Sequence, residues 1–192
     1  MELPVKNEKR YTYPDYYSWN DGQRWELIDG YAYLMAPAPT RAHQSATGSL
    51  YLQLANFLKG KSCRVFVAPF DVRLNASAND NTVVQPDLLV VCDKSKLDRK
   101  CCVGAPDFVI EILSPSTARL DRTTKFDQYK AAGVREYWIV DPDTRTVSAH
   151  VLQNGEYMTR AYTDTGTAPV SVLEGCEINL EEVFENEDDE QT

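Results

Sequence analysis

The alternation of apolar and polar residues predicts short strands interrupted by two longer helices. Strand-like runs flank Asp29-Gly30, and two such runs around Asp-Gly are typical of a β-hairpin. Apolar residues then recur at helical spacing between residues 40 and 59, and Gly60 provides a stop. A second helix is expected from Arg119 to Ala132, ended by Gly133.

The other apolar runs predict strands. We expect them over residues 64–74, with a break at Pro69, and over residues 83–91, 107–113, 137–140, 147–152 and 157–162. Because proline cannot donate to a strand ladder, Pro86 should lie at an edge or a bulge. This order of elements predicts an α/β fold with a mixed central sheet and a helix on each side.

Composition favours an ordinary globular chain. Of 192 residues, 43% are apolar and 26% are charged, which predicts one domain over residues 1–184. No run of eighteen apolar residues is present, and the N-terminal segment lacks the apolar core of a secretory signal, so we expect a cytoplasmic protein without a membrane partner. The five cysteines form no CxxC pair that would support a zinc site, and Cys101-Cys102 is either a redox pair or two ordinary buried thiols.

The charge distribution separates a neutral body from an acidic end. The net charge is −9, but nine acids and no Lys or Arg follow residue 173, which leaves 20 acids and 20 basic residues in the rest. The segment 185–192 is expected to be a disordered or loosely docked acidic tail, because its like charges repel. The overall charge argues against a nucleic-acid partner, whereas the ten basic residues between positions 94 and 145 leave a local basic surface open.

Two acids inside apolar runs are the main candidates for chemistry. Asp87 precedes Leu-Leu-Val-Val, and Glu111 lies between Val-Ile and Ile-Leu. A desolvated carboxylate is costly unless it is paired or binds a metal, so each acid forms an ion pair, faces solvent, or ligates an ion. Together with the ammonium of Lys125 they would suit a hard divalent cation, with Mg²⁺ or Mn²⁺ favoured over zinc.

Lys125 lies on the second predicted helix. Tyr129 is four residues later and shares its face, with Asp121 and Gln128 nearby. The same spacing also fits a solvated surface stripe, so the helix alone does not distinguish the two interpretations.

Longer segments resemble a known family. Pro86-Asp87 followed by Glu111 is similar to the PD-(D/E)XK nuclease pattern. The segments WELIDGYAYLMAPAPTRAHQ (25–44) and PDFVIEILSPSTARLDRTTKFDQYKAAGVREYWIVDPDTRTV (106–147) resemble the Uma2 family of restriction-endonuclease-like proteins, with similarity over about residues 13–184. The resemblance implies a restriction-endonuclease-like fold, in which a mixed central β-sheet is flanked by helices.

The resemblance also implies roles for individual residues. Asp87 and Glu111 would be the metal ligands, and Lys125 the catalytic or charge-stabilising residue, because Leu113 occupies the position where the nuclease motif has its lysine. Four further residues are candidates. Glu26 could complete the acidic cluster, and His43 could contact phosphate or water, or could serve only to cap or pack a helix. Gln128 and Tyr129 could hold the lysine or contact phosphate, and Tyr129 also suits a helix–sheet contact.

The implied function is hydrolysis of DNA by a magnesium-dependent endodeoxyribonuclease, with Mg²⁺ or Mn²⁺ as cofactor and DNA as partner. Restriction enzymes of this fold are often dimers, so a homodimer is expected by analogy. A non-catalytic interaction protein that retains the nuclease fold is the alternative, and a hydrolase of another phosphate ester would use the same site.

Overall fold

The computed structural model describes residues 9–35 and 38–184, which form three β-sheets with helices packed against them. The strands are β1 (Trp25–Ile28), β2 (Tyr31–Leu34), β3 (Arg64–Val67), β4 (Asp71–Arg73), β5 (Val83–Val84), β6 (Leu88–Val91), β7 (Cys101–Val103), β8 (Phe108–Ile112), β9 (Glu136–Asp141), β10 (Thr146–Gln153), β11 (Glu156–Tyr162), β12 (Thr167–Pro169) and β13 (Glu177–Asn179). The helices are α1 (Tyr13–Tyr17), α2 (Arg41–Leu58), α3 (Ala118–Leu120) and α4 (Phe126–Ala132), and a π-helical turn (Asp121–Lys125) joins α3 to α4. Short 3₁₀ turns cover Lys94–Lys96 and Leu180–Glu182.

A six-stranded mixed sheet forms the centre of the fold. Its strand order is β11-β10-β9-β8-β6-β3, and within it only β8 and β9 run parallel. Alternate residues of each strand face opposite sides, as the two-residue period of a strand requires. One face packs against the apolar stripe of α2, for which Leu50 and Leu54 are examples, and the other packs against Tyr129 of α4.

A five-stranded sheet packs over the same face of the central sheet as α4. Its order is β2-β1-β5-β4-β7, and it contributes Ile28, Val72 and Val84 to the core that the two sheets share. Glu26 is two residues before Ile28 on β1, so its side chain belongs to the face that looks into this shared layer. The third sheet pairs β12 with β13.

The α/β class, the mixed central sheet, the hairpin and the helix expected between residues 40 and 59 are confirmed. The second expected helix, 119–132, is helical but divides into α3, the π-helical turn and α4. Asp29 and Gly30 have φ of 50° and 80°, the positive values that a two-residue type I′ hairpin turn requires. The expected strand over 83–91 is instead two strands in different sheets, β5 and β6, because Pro86 lies where the chain crosses between them. The expected run over 64–74 divides into β3 and β4 on either side of Pro69, which confirms the predicted break.

Three further observations concern the ends, the cysteines and membranes. The acidic tail predicted over residues 185–192 lies outside the described residues. A disulfide joins Cys63 to Cys92, next to the Arg64–Val91 pair of β3 and β6, while Cys101, Cys102 and Cys176 are buried thiols. Among the described residues, no helix combines the length and apolar character that a membrane-spanning segment needs.

Candidate active site

The two strand acids lie at the same end of neighbouring strands. In the antiparallel pairing of β6 with β8, Leu88 is opposite Ile110, so the next step along the ladder places Asp87 opposite Glu111. Asp87 does not continue the ladder through its backbone. Its Oδ2 accepts a hydrogen bond of 2.7 Å from the amide of Ile112, which fixes the carboxylate against the end of β8.

Lys125 lies at the centre of an acidic cluster. Its Nζ is 2.9 Å from Glu26 Oε1, 3.0 Å from Glu111 Oε1 and 3.5 Å from Asp121 Oδ1. The side chains of the lysine and of the two glutamates are each 5% exposed, so this is a buried ionic cluster rather than a surface stripe. It also connects the two sheets, since Glu26 comes from the five-stranded sheet and Glu111 from the central one.

The π-helical turn brings two members of this cluster together. Asp121 and Lys125 are its first and last residues, and both are buried. A π turn has more residues per turn than an α-helix and occurs mostly as single turns at functional sites. Asp121 and Lys125 are four residues apart and share the face of this turn that points between the sheets, where both are buried.

Tyr129 and His43 each hold one of the strand acids. The Tyr129 hydroxyl donates to Glu111 Oε1 at 2.7 Å from the turn of α4 that follows Lys125. His43, near the start of α2, has Nε2 at 3.2 Å from Asp87 Oδ2 and Nδ1 at 3.4 Å from the hydroxyl of Thr47. Asp87 and Glu111 are therefore positioned by side chains from two different helices.

Gln85 links Glu26 to the entrance of the site. Its backbone amide donates to Glu26 Oε1 at 2.8 Å, and its side-chain oxygen accepts from Arg24 Nη2 at 2.7 Å. Its side-chain nitrogen donates to Asp71 Oδ1 and to the Tyr16 hydroxyl, at 2.9 and 3.1 Å. Gln85 thus fixes the short crossing segment that leads directly to Asp87.

Negative charge exceeds positive charge in this site. Burial raises the pKa of Glu111 well above its usual range, and the ammonium of Lys125 only partly offsets the effect. Burial also raises the pKa of Asp121 to about 6, again against the opposing influence of Lys125. Burial would lower the pKa of Lys125, but the acids around it raise the value well above its usual range.

His43, on the other side of the site, also has a pKa that a neighbouring acid raises. Burial would lower its pKa, but the hydrogen bond and charge of Asp87 raise it above the ordinary value. The Oδ1 atom of Asp121 is a buried acceptor with no hydrogen-bond partner among the described residues, apart from its longer ion pair with Lys125. Of these two acids, Asp87 stabilises the protonated form of His43, and Asp121 keeps one carboxylate oxygen available for a further donor or cation.

These residues line a cavity of about 370 Å³. Asp87, Glu111, Asp121, Lys125, Glu26 and His43 all contribute to its wall, together with Arg24, Tyr33 and the loop of residues 114–117. Within the described ranges, no three acidic, His or Cys side chains already converge as ligands around one point. The cavity therefore provides carboxylates around an ammonium, not a preformed metal cage.

The sequence-predicted residues are mostly brought together. Glu26, His43 and Tyr129 all contact Asp87, Glu111 or Lys125, whereas Gln128 does not line the cavity and donates instead to Asp29 Oδ2 at 2.8 Å. The reason is its position on α4: Lys125 and Tyr129, four apart, share the inward face, and Gln128 lies beside that face.

Two participants, Asp121 and Gln85, were not among the predicted site residues, although Asp121 was noted beside Lys125 on the predicted helix. The (i, i+4) spacing of Asp121 and Lys125 was the available signal for Asp121. No sequence signal pointed to Gln85, because its partners come from distant parts of the chain.

Comparisons with known proteins identify the family and the fold of the chain. The family model Uma2, described as "Putative restriction endonuclease", matches residues 12–181. An uncharacterized protein (slr1290) of Synechocystis sp. (strain ATCC 27184 / PCC 6803 / Kazusa) is 29% identical over 117 residues, 60% of this chain and 60% of that relative. The chain therefore matches less than two thirds of that relative's length.

A solved structure shows the same fold. It is the crystal structure of a "putative nuclease belonging to DUF820" from Anabaena variabilis ATCC 29413, with a TM-score of 0.72 and 19% identity. The superposition covers 90% of this chain and 96% of the other.

Proposed function

Since the chain belongs to the Uma2 family, we propose that it is a metal-dependent endonuclease that hydrolyses DNA phosphodiester bonds. The observation that carries the proposal is the placement of Asp87 and Glu111 side by side at one sheet end, with the Lys125 ammonium 3.0 Å from Glu111. The nuclease-like family and fold support this reaction class, and the site supplies residues suited to it.

The residues present fit Mg²⁺ or Mn²⁺. Carboxylate oxygens are the ligands that these ions prefer, and Mg²⁺ usually binds through one or two carboxylates while retaining water and taking up substrate phosphate. Asp87 and Glu111 would hold the ion. The surplus of acids over cations and the unsatisfied Oδ1 of Asp121 are consistent with an additional positive charge at this point. When bound, the ion would supply Lewis acidity and a water of lowered pKa.

Protein side chains would perform the remaining tasks. Lys125 has three N–H groups; Glu26 and Glu111 accept two at hydrogen-bond distance, and the third faces only the more distant oxygen of Asp121. This third group can turn to a phosphate oxygen in the cavity and stabilise the charge that develops there. Tyr129 holds Glu111, and His43 holds Asp87. In the reaction, water adds to phosphorus and one ester bond breaks, which leaves a phosphate and a hydroxyl end.

A nicking assay on supercoiled plasmid tests the proposal. We expect cleavage with Mg²⁺ or Mn²⁺, none with chelator, and none in Asp87→Asn or Glu111→Gln. Asp87→Asn is the more informative change, because the Asp87 side chain is 22% exposed and its amide analogue disturbs packing least. Glu156→Gln is the matched control, since that side chain is 74% exposed and pairs with Lys130 outside the site.

Two outcomes would contradict the proposal. Activity that persists in Glu111→Gln would indicate a contaminant or another site. Failure of the folded protein to cleave any form of DNA or RNA, with either ion, would favour the non-catalytic interaction protein instead.

A further inference from the structure

The side chains proposed to act in the reaction lie mostly below the surface of the protein. The side chains of Glu111 and Lys125 are each 5% exposed, whereas that of Asp87, nearer the entrance, is 22% exposed. A phosphate must therefore descend into the cavity to meet all three. On an intact duplex, each phosphate is held on the outside of a rigid rod between stacked neighbours, so its approach to a recessed group brings the rest of the rod against the rim.

The cavity has the size of a small-ligand pocket. Its volume of about 370 Å³ lies near the lower end of the range of roughly 300–1,000 Å³ that pockets for single small molecules occupy. A site of this size accommodates one nucleotide that has left the base stack. Enzymes that place a nucleotide in such a pocket spend unstacking and unpairing energy, and this energy is smallest for a strand that is already single.

Among the described residues, the cavity wall carries few of the Lys and Arg side chains that duplex binding uses. Duplex affinity comes mainly from many Lys and Arg contacts along the phosphates. In the described part of the chain, the cavity lining includes two Lys or Arg side chains, Arg24 at the entrance and the buried Lys125, together with the imidazole of His43. The same lining includes Tyr33, which is partly buried and also packs against the core between the two sheets, and the apolar residues Leu34, Met35 and Leu120. Aromatic rings bind unpaired bases by stacking, independently of sequence.

We propose that this cavity takes an unpaired nucleotide, so that the preferred substrate is single-stranded or flapped DNA rather than intact duplex. In this arrangement Tyr33 stacks on the base of the entering nucleotide, and its phosphate reaches Asp87, Glu111 and Lys125. The inference rests on the proposed nuclease function for its reaction, but the binding preference can be measured without cleavage.

The test compares three fluorescein-labelled DNAs of one sequence: a single strand, its blunt duplex, and the duplex with an unpaired flap. With wild-type protein and Mn²⁺, we expect the single strand and the flap to be cut at least tenfold faster than the blunt duplex. With Glu111→Gln, fluorescence anisotropy should show at least tenfold tighter binding of the single strand than of the duplex.

A variant of the aromatic ring tests the proposed contact. Tyr33→Ala should weaken single-strand binding about tenfold, the order of effect found when one stacking ring is removed, and Tyr33→Phe should restore most of the affinity. Tyr51→Ala is the matched control, because Tyr51 is a 40% exposed ring on α2 that does not line the cavity. Melting temperatures of the variants show whether each one is folded.

The outcomes separate this inference from the proposed function. Equal binding and cleavage of duplex and single strand would overturn the inference and leave the nuclease function standing. Selective single-strand binding that depends on Tyr33, without cleavage of any DNA, would uphold the inference and overturn the nuclease function. Loss of single-strand affinity in Tyr51→Ala but not in folded Tyr33→Ala would also overturn the inference.

Discussion

Replacing Lys125 by methionine should strongly destabilise the fold. The change keeps the length of the side chain but removes the ammonium that lies within 3.5 Å of Glu26, Glu111 and Asp121. Three buried carboxylates would then face one another without a cation. Breaking a buried ion pair by removing one partner costs about 3–5 kcal/mol. In a domain of this size, a loss of about 1 kcal/mol in the free energy of unfolding lowers the melting temperature by about 2–4 °C, so the variant should melt ~10 °C below wild type.

Thermal unfolding followed by circular dichroism measures this effect. Lys130→Met is the matched control, because Lys130 lies on the same helix and its ion pair is with the exposed Glu156. Exposed pairs contribute less than about 1 kcal/mol, so the control should melt within a few degrees of wild type. Lys125→Met/Glu111→Gln should recover part of the loss, since one buried charge is removed. A Lys125→Met protein that melts with wild type, or a double variant that melts below both single variants, would refute the ionic argument.

Three other predictions concern the metal ion, the disulfide and the buried His150. Mn²⁺ should raise the melting temperature of wild type and of Glu156→Gln but not of Asp87→Asn, as measured by differential scanning fluorimetry. Replacing Cys63 and Cys92 by alanine should destabilise the oxidised protein by ~2–4 kcal/mol in urea unfolding, because the bond closes a chain segment with a sequence separation of 29. Burial lowers the pKa of His150 to about 4, with a smaller contribution from a nearby arginine. Between pH 6.5 and about 4 the unfolded chain therefore binds a proton that the folded protein does not, and stability should fall by ~1–2 kcal/mol over that window unless His150 is replaced by glutamine.

Local patterns were sufficient for the elements that local physics determines. Asp29-Gly30 predicted its hairpin because both residues tolerate positive φ. The stop at Gly133 is confirmed for a related reason: its φ of 84° ends α4 in the left-handed conformation. Glu111 was recognisable because a carboxylate in a fully apolar strand needs a partner, and Lys125 and Tyr129 both provide one.

Features that depend on distant parts of the chain could not be predicted in this way. The apolar run 83–91 has one hydrophobic pattern but enters two sheets, and only tertiary pairing divides it. Helical periodicity expected a regular helix from 119 to 132 and could not reveal the π turn that carries Asp121 and Lys125. Gln85 looked like an ordinary polar residue, because its role arises from four partners that are remote in sequence.

The short crossing between β5 and β6 limits how the cavity can change its width. Val84 ends a strand of one wall and Leu88 begins a strand of the other, so four chain steps connect the two sheets. Fully extended, four steps reach only about 14 Å, little more than the ~10 Å at which packed sheets normally lie. The two walls are thus tethered beside the reacting groups, and their separation at this point can increase by only a few ångströms. Beside the reacting groups, the length of this connection therefore limits the width of the cavity, and with it the thickness of a strand that can enter, whatever side chains line the walls.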